Sequence, residues 1–145
     1  MPNRLQTVAT IFGVMGTLAV LDAVGLWMDG IAQVPIVVTY LAAAAVLFSV
    51  RRPSAPTVAL VLAALPPLFG VVVAVAVASG WQPVDFAVSM TDEPLSESPS
   101  DLAPYVLYVG LLTVLTIWAA SVLRRDETRA YYADRSAQAR GYASL

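Results

Sequence analysis

Apolar residues run in four long stretches with short polar segments between them, at residues 5–28, 31–50, 57–79 and 102–123. A bilayer core about 30 Å thick takes roughly 20 helical residues, each rising about 1.5 Å, and lipid offers the backbone no hydrogen-bond partner. Each stretch therefore predicts a membrane-spanning helix. The first holds a single charge, Asp22, and the second and third hold none. Residues 80–101 form the longest polar interval, read as an outer loop, and residues 124–145 a polar tail that is partly helical. The pattern predicts an all-α protein: an integral-membrane four-helix bundle with up-down topology over residues 1–123, leaving no room for a separate soluble domain.

The joins between the spans are short. Asp29 and Gly30 end the first helix, because glycine suits the left-handed position after a last turn, and Pro35 fits the first turn of the next. Arg51, Arg52, Pro53, Ser54, Ala55, Pro56 and Thr57 make a second tight turn, with two prolines and two candidate caps. Ser100 and Asp101 suit the start of the fourth helix, which tolerates Pro104 in its first turn.

Charge sets the orientation, since short loops rich in arginine stay on the cytoplasmic side. Arg4 precedes the first span, Arg51 and Arg52 follow the second, and Arg124, Arg125, Arg129, Arg135 and Arg140 follow the fourth. Asp29, Asp85, Asp92, Glu93, Glu97 and Asp101 all fall on the other side. Both termini are expected in the cytoplasm of a multi-pass protein of the plasma membrane. Arg51, Arg52, Arg124 and Arg125 are its anchors at the anionic headgroups. Trp27, Trp81, Tyr105 and Tyr108 are expected near the outer boundary and Trp118 near the inner one. A cleavable leader would have a shorter apolar core and no acid beside the cut, so the first segment is read as a span.

Composition narrows the chemistry. Of 145 residues, 59% are hydrophobic and 12% charged, with a mean hydropathy of +0.75, against about a quarter charged in soluble domains. Histidine and cysteine are absent, and all eight basic residues are arginine, a bias that fits a GC-rich prokaryotic genome. No thiolate nucleophile, disulfide, Ser-His pair, lysine Schiff base or His/Cys metal site can be built. The arginines are too few and scattered to track phosphates, so no nucleic-acid partner is expected, and no cofactor.

A few positions could carry function. Asp22, the one ionisable group well inside a span, is a candidate intramembrane site by default. Asp29 lies seven residues on, near the same face, and Thr39 offers a hydroxyl that Asp22 could reach. Pro66 and Pro67 are expected to break or kink the third helix, leaving the carbonyls of Leu62 and Ala63 without amide donors. Either neighbouring hydroxyls or a water answer those carbonyls, or the break lines a site for an ion or small molecule. In the outer loop, residues 84–90 alternate and suit a short strand or an interfacial segment. Its acids match no calcium-loop spacing and read as solvated.

Small residues set the expected helix packing, since association in lipid depends on close approach. Ala9, Gly13 and Thr17 stack at spacing four in the first span, with Gly25 continuing the stripe. Ala42, Ala45 and Ser49 serve the second, and Gly110, Thr113 and Thr116 the fourth. Packing within the bundle is the favoured use of these faces, ahead of a dimer interface. In the tail, the spacing of Asp126 and Arg129 suits a helix that carries the fourth span several turns beyond the membrane, with Tyr131 and Tyr132 as candidate partner contacts.

The expected function follows from what is missing. With no catalytic set, the chain reads as a non-enzymatic small polytopic membrane protein, an accessory or structural subunit whose partners are the bilayer and other membrane subunits or copies of itself. The alternative is a small oligomeric transporter or channel using Asp22 and the kinked third helix.

Overall fold

A computed structural model describes residues 1–28, 36–79 and 99–142, and everything below concerns those residues. They form helices and no strand: α1 (Asn3–Met28), α2 (Thr39–Ser49) preceded by a 3-10 turn at Ile36–Val38, α3 (Ala55–Ala78), α4 (Pro99–Leu123) and α5 (Asp126–Tyr142). Three stretches are long and apolar enough to cross a membrane: Asn3–Gly25, Ala55–Ala76 and Ala103–Leu123. That marks the chain as a membrane protein. The apolar helix Ile36–Ser49 is shorter, about 21 Å at 1.5 Å per residue. The beginning of the expected second span, the Asp29-Gly30 turn, Pro35 and the outer loop from residue 80 to 98 lie outside the described residues.

Consecutive helices pack side by side, α1 on α2, α2 on α3 and α3 on α4, while α1 and α4 meet only sparingly. Many alanines share the interior with a few large side chains, while many large aliphatic side chains lie outside it. Ala9, Ala19, Ala23, Ala43, Ala44, Ala59, Ala63 and Ala119 are buried, whereas Leu18, Leu21, Val61, Leu68, Val72, Leu107, Leu111 and Ile117 are exposed. A soluble protein would bury the large side chains first, because the hydrophobic effect rewards area. Lipid gives large and small apolar groups no such ranking, so close backbone approach decides what goes inside.

The tightest approach is at Gly16. A Cβ there would run into the backbone amide of Leu41 and lie 2.5 Å from its Cβ. Beside it Phe12 stacks on Tyr40, ring centroids 5.0 Å apart and planes 24° from parallel. A second close contact joins α3 to α4, where a Cβ on Gly70 would lie 2.6 Å from Val109 Cγ2.

The tail departs from the expected extension of the fourth helix. α4 stops at Leu123, the chain turns at Arg124 and Arg125, and α5 folds back over the ends of the other helices. The reason lies in orphaned carbonyls. α2 leaves helical geometry at Val50 (ψ 122°), so the carbonyls of Leu47 and Phe48 lose their next-turn donors. The Tyr132 hydroxyl donates to the Leu47 oxygen at 2.6 Å, and the Arg135 guanidinium to the Phe48 oxygen at 3.4 Å. Thr128 donates to the Val122 oxygen of α4 at 3.0 Å. A cation also suits the negative end of the α2 dipole, as Asp126 and Glu127 suit the first turn of α5. Tyr132 and Thr128 are thus internal contacts, and Tyr132 is not free for a partner.

Candidate functional site

Pro66 and Pro67 lie inside α3, both buried, and the helix runs unbroken through them from Ala55 to Ala78. The proline pair therefore does not interrupt the helix, and a carbonyl that it orphans is answered from α4. Pro67 has no N–H for the Ala63 carbonyl, and the Thr116 hydroxyl donates to that oxygen instead, at 3.1 Å. The Tyr40 hydroxyl of α2 sits 3.5 Å from Thr116 Oγ1, and Phe12 of α1 covers the Tyr40 ring. The polar contacts around Thr116, with the Phe12–Tyr40 stack, therefore join α1, α2, α3 and α4. About two turns of α3 further on, the Tyr105 hydroxyl donates to the Gly70 carbonyl at 3.3 Å. Tyr105, near the start of the apolar segment Ala103–Leu123, points its hydroxyl into the α3–α4 contact. Among the described residues no buried side-chain nitrogen or oxygen lacks a partner.

Asp22 has a different setting. It lies on an exposed face of α1, close enough to Tyr108 for the two to interact electrostatically. Thr39 does not join it: its hydroxyl donates to the Ile36 carbonyl at 2.9 Å, within its own turn. Asp29 lies outside the described residues. No group of three or more acids that could hold a metal ion occurs among the described residues.

The small-residue stripes fall mostly outside the packing faces. Ala9 is buried, but Gly13 is half-buried with 3.8 Å of room to Ala44, and Thr17 is exposed, its hydroxyl bonded at 2.8 Å to the Gly13 carbonyl. Together with Thr10 they floor an open groove of about 420 Å³ walled by Val14, Leu18 and Phe48. Ala42, Ala45, Ser49 and Gly110 are exposed, and nothing lies within 4 Å of a Cβ placed on Gly110. Their expected packing within the chain is corrected: on α2 that face belongs to Tyr40, Ala43, Ala44 and Leu47, and on α4 to Tyr105, Val109, Leu112 and Ala119. Arg51, Arg52, Arg124 and Arg125 are exposed, at the end of the helices where Leu5, Leu47, Leu123 and Tyr132 cluster.

Outside the membrane segments, burial pushes the Tyr132 phenol up to about 12, with Tyr131 adding to the rise and Arg135 opposing it. Arg135 lies 5.6 Å over the Tyr131 ring, a cation–π contact that holds the guanidinium near the end of α2. Tyr40, Gly16, Gly70 and Arg135 were the residues sequence reasoning missed. The signal for the node was available: a proline-orphaned carbonyl in one span calls for a hydroxyl at matching depth in a neighbour. No protein-family model, curated protein or solved structure matches this chain.

Proposed function

We propose that the chain is a non-enzymatic membrane subunit, an accessory or structural component of a larger assembly. In this reading it is a four-helix bundle crossing the plasma membrane four times, with both termini in the cytoplasm. The observation that carries the reading is the outward placement of the small residues. Ala42, Ala45, Ser49, Gly110 and Thr17 are turned away from the chain's own packing faces, and Thr17 opens a groove beside the partly buried Gly13. Small side chains at an exposed surface let another helix come close, which is how helices associate in lipid. The interior polar groups, meanwhile, join helix to helix and cap helix ends. A transporter built on Asp22 and the third helix draws less support, since Pro66 and Pro67 pack inside and the Ala63 carbonyl is occupied.

Extraction from native membranes in a mild detergent tests the proposal. The protein should migrate in an assembly well above its own 15.3 kDa; a lone chain overturns it. Reporters fused to the two ends should both read cytoplasmic, and reporters on opposite sides would refute the four-crossing topology.

A further inference from the structure

We infer that the C-terminal half of α1 is a docking face for a transmembrane helix of a different protein, one carrying an arginine or lysine at the depth of Asp22. The inference rests on the subunit reading above and names the chemistry of the partner. Asp22 lies within the apolar segment Asn3–Gly25 and on the surface, with Leu18, Leu21 and Val24 exposed around it. A carboxylate among lipid-facing side chains is costly in hydrocarbon and favours a cationic neighbour. Among the described residues no cationic side chain lies beside it. The described arginine side chains gather at the opposite end of the helices, and Arg4, on the same helix, is about 27 Å away at 1.5 Å per residue. Tyr108 is neutral and offers at most one hydrogen bond.

Gly25 is an independent pointer to the same face. It follows Asp22 by nearly one turn, is exposed, and a Cβ built on it meets nothing within 4 Å. Glycine weakens a helix, and no described neighbour uses the space it leaves. An approaching backbone would use it. Charge then selects the occupant. A second copy packed in parallel on this face brings Asp22 against Asp22, and an inverted copy would have to carry its arginine-rich end across the membrane. A different helix with a basic side chain meets neither obstacle.

The test uses the full chain in phosphatidylcholine vesicles, labelled for energy transfer, with poly-leucine transmembrane peptides of about 22 residues as probes. One peptide carries a single arginine in the third nearest the C-terminal end of α1, and its twin carries leucine there. The arginine peptide should associate about tenfold more tightly than its twin, equivalent to about 1.4 kcal/mol. Asp22→Asn should abolish that preference, and Gly25→Leu should weaken association with the arginine peptide. Both positions are exposed, so neither change disturbs the folded interior. Equal association of the two peptides, or a preference that survives Asp22→Asn, overturns the inference. So does a result in which Asp22→Asn alters only the retention of phosphatidylethanolamine over phosphatidylcholine, which would assign a lipid ammonium to the carboxylate. A native assembly that keeps its mass in the Asp22→Asn variant also removes this face from it while leaving the subunit reading standing.

Discussion

The helix pairs α1–α2 and α3–α4 are held by different means. α1 and α2 meet through shape, with Gly16 letting the Leu41 backbone come close and Phe12 stacked on Tyr40. α3 and α4 also have a close glycine, Gly70 against Val109, but add two hydroxyl-to-carbonyl bonds, Thr116 to Ala63 and Tyr105 to Gly70. The Thr116 bond traces to proline. α1 and α2 have intact amide ladders available, whereas Pro67 leaves a carbonyl in α3 that lipid cannot serve. At Ala63 a side chain on the neighbouring helix supplies the donor that proline removes.

Gly16→Leu should do the most damage, because the new side chain collides with backbone that cannot rotate away. Separating α1 from α2 should cost about 3 kcal/mol, read as a lowered unfolding midpoint in detergent or bicelles. Thr116→Val comes next. It keeps the shape but removes the donor to Ala63, at a cost of about 1–2 kcal/mol. Proline can be tested as the cause by a double-mutant cycle. In a Pro67→Ala background the restored amide can serve Ala63, so the Thr116→Val penalty should shrink by about 1 kcal/mol. A penalty unchanged by Pro67→Ala would break the link between the two residues.

The third test concerns the α5 contact, which serves a carbonyl orphaned by a helix end in the way Thr116 serves one orphaned by proline. With its pKa raised to about 12, Tyr132 stays protonated in the folded protein where an unfolded tyrosine, near 10, ionises. Its contribution is therefore fully present below pH 10 and is lost as pH rises through 12. In a difference ultraviolet titration Tyr132→Phe should remove one late-ionising tyrosine relative to the wild type, and it should cost about 1 kcal/mol. The smallest effect belongs to Gly13→Ala, whose Cβ would sit 3.8 Å from Ala44; stability should move by less than about 0.5 kcal/mol. A large loss at Gly13 would shift the close-packed seam away from Gly16.

Much of the helix placement was legible because length and apolarity are imposed by the bilayer. The first, third and fourth stretches fall on α1, α3 and α4 within a few residues. Which side of each helix faces inward was not legible, because in lipid both sides are apolar and hydrophobic periodicity carries little contrast. In α1 small residues occur on several faces, so Gly13 and Thr17 could not be told from the buried series Leu5, Val8, Ala9, Phe12, Gly16, Ala19 and Ala23 by size alone. The orphaned Ala63 carbonyl was readable from Pro67. Its donor depended on the depth match between α3 and α4, which a single sequence does not give. Tyr132 was hidden for a similar reason: a polar tail with two tyrosines reads as a partner contact until the end of α2 is seen to need a donor.

The closure of α2 also fixes an order of events. Leu47 and Phe48 leave the ribosome long before Tyr132 and Arg135, so the end of this helix waits through the synthesis of α3 and α4 for its hydrogen-bond donors. A helix made late completes one made early, and a chain released before α5 would leave that end bare.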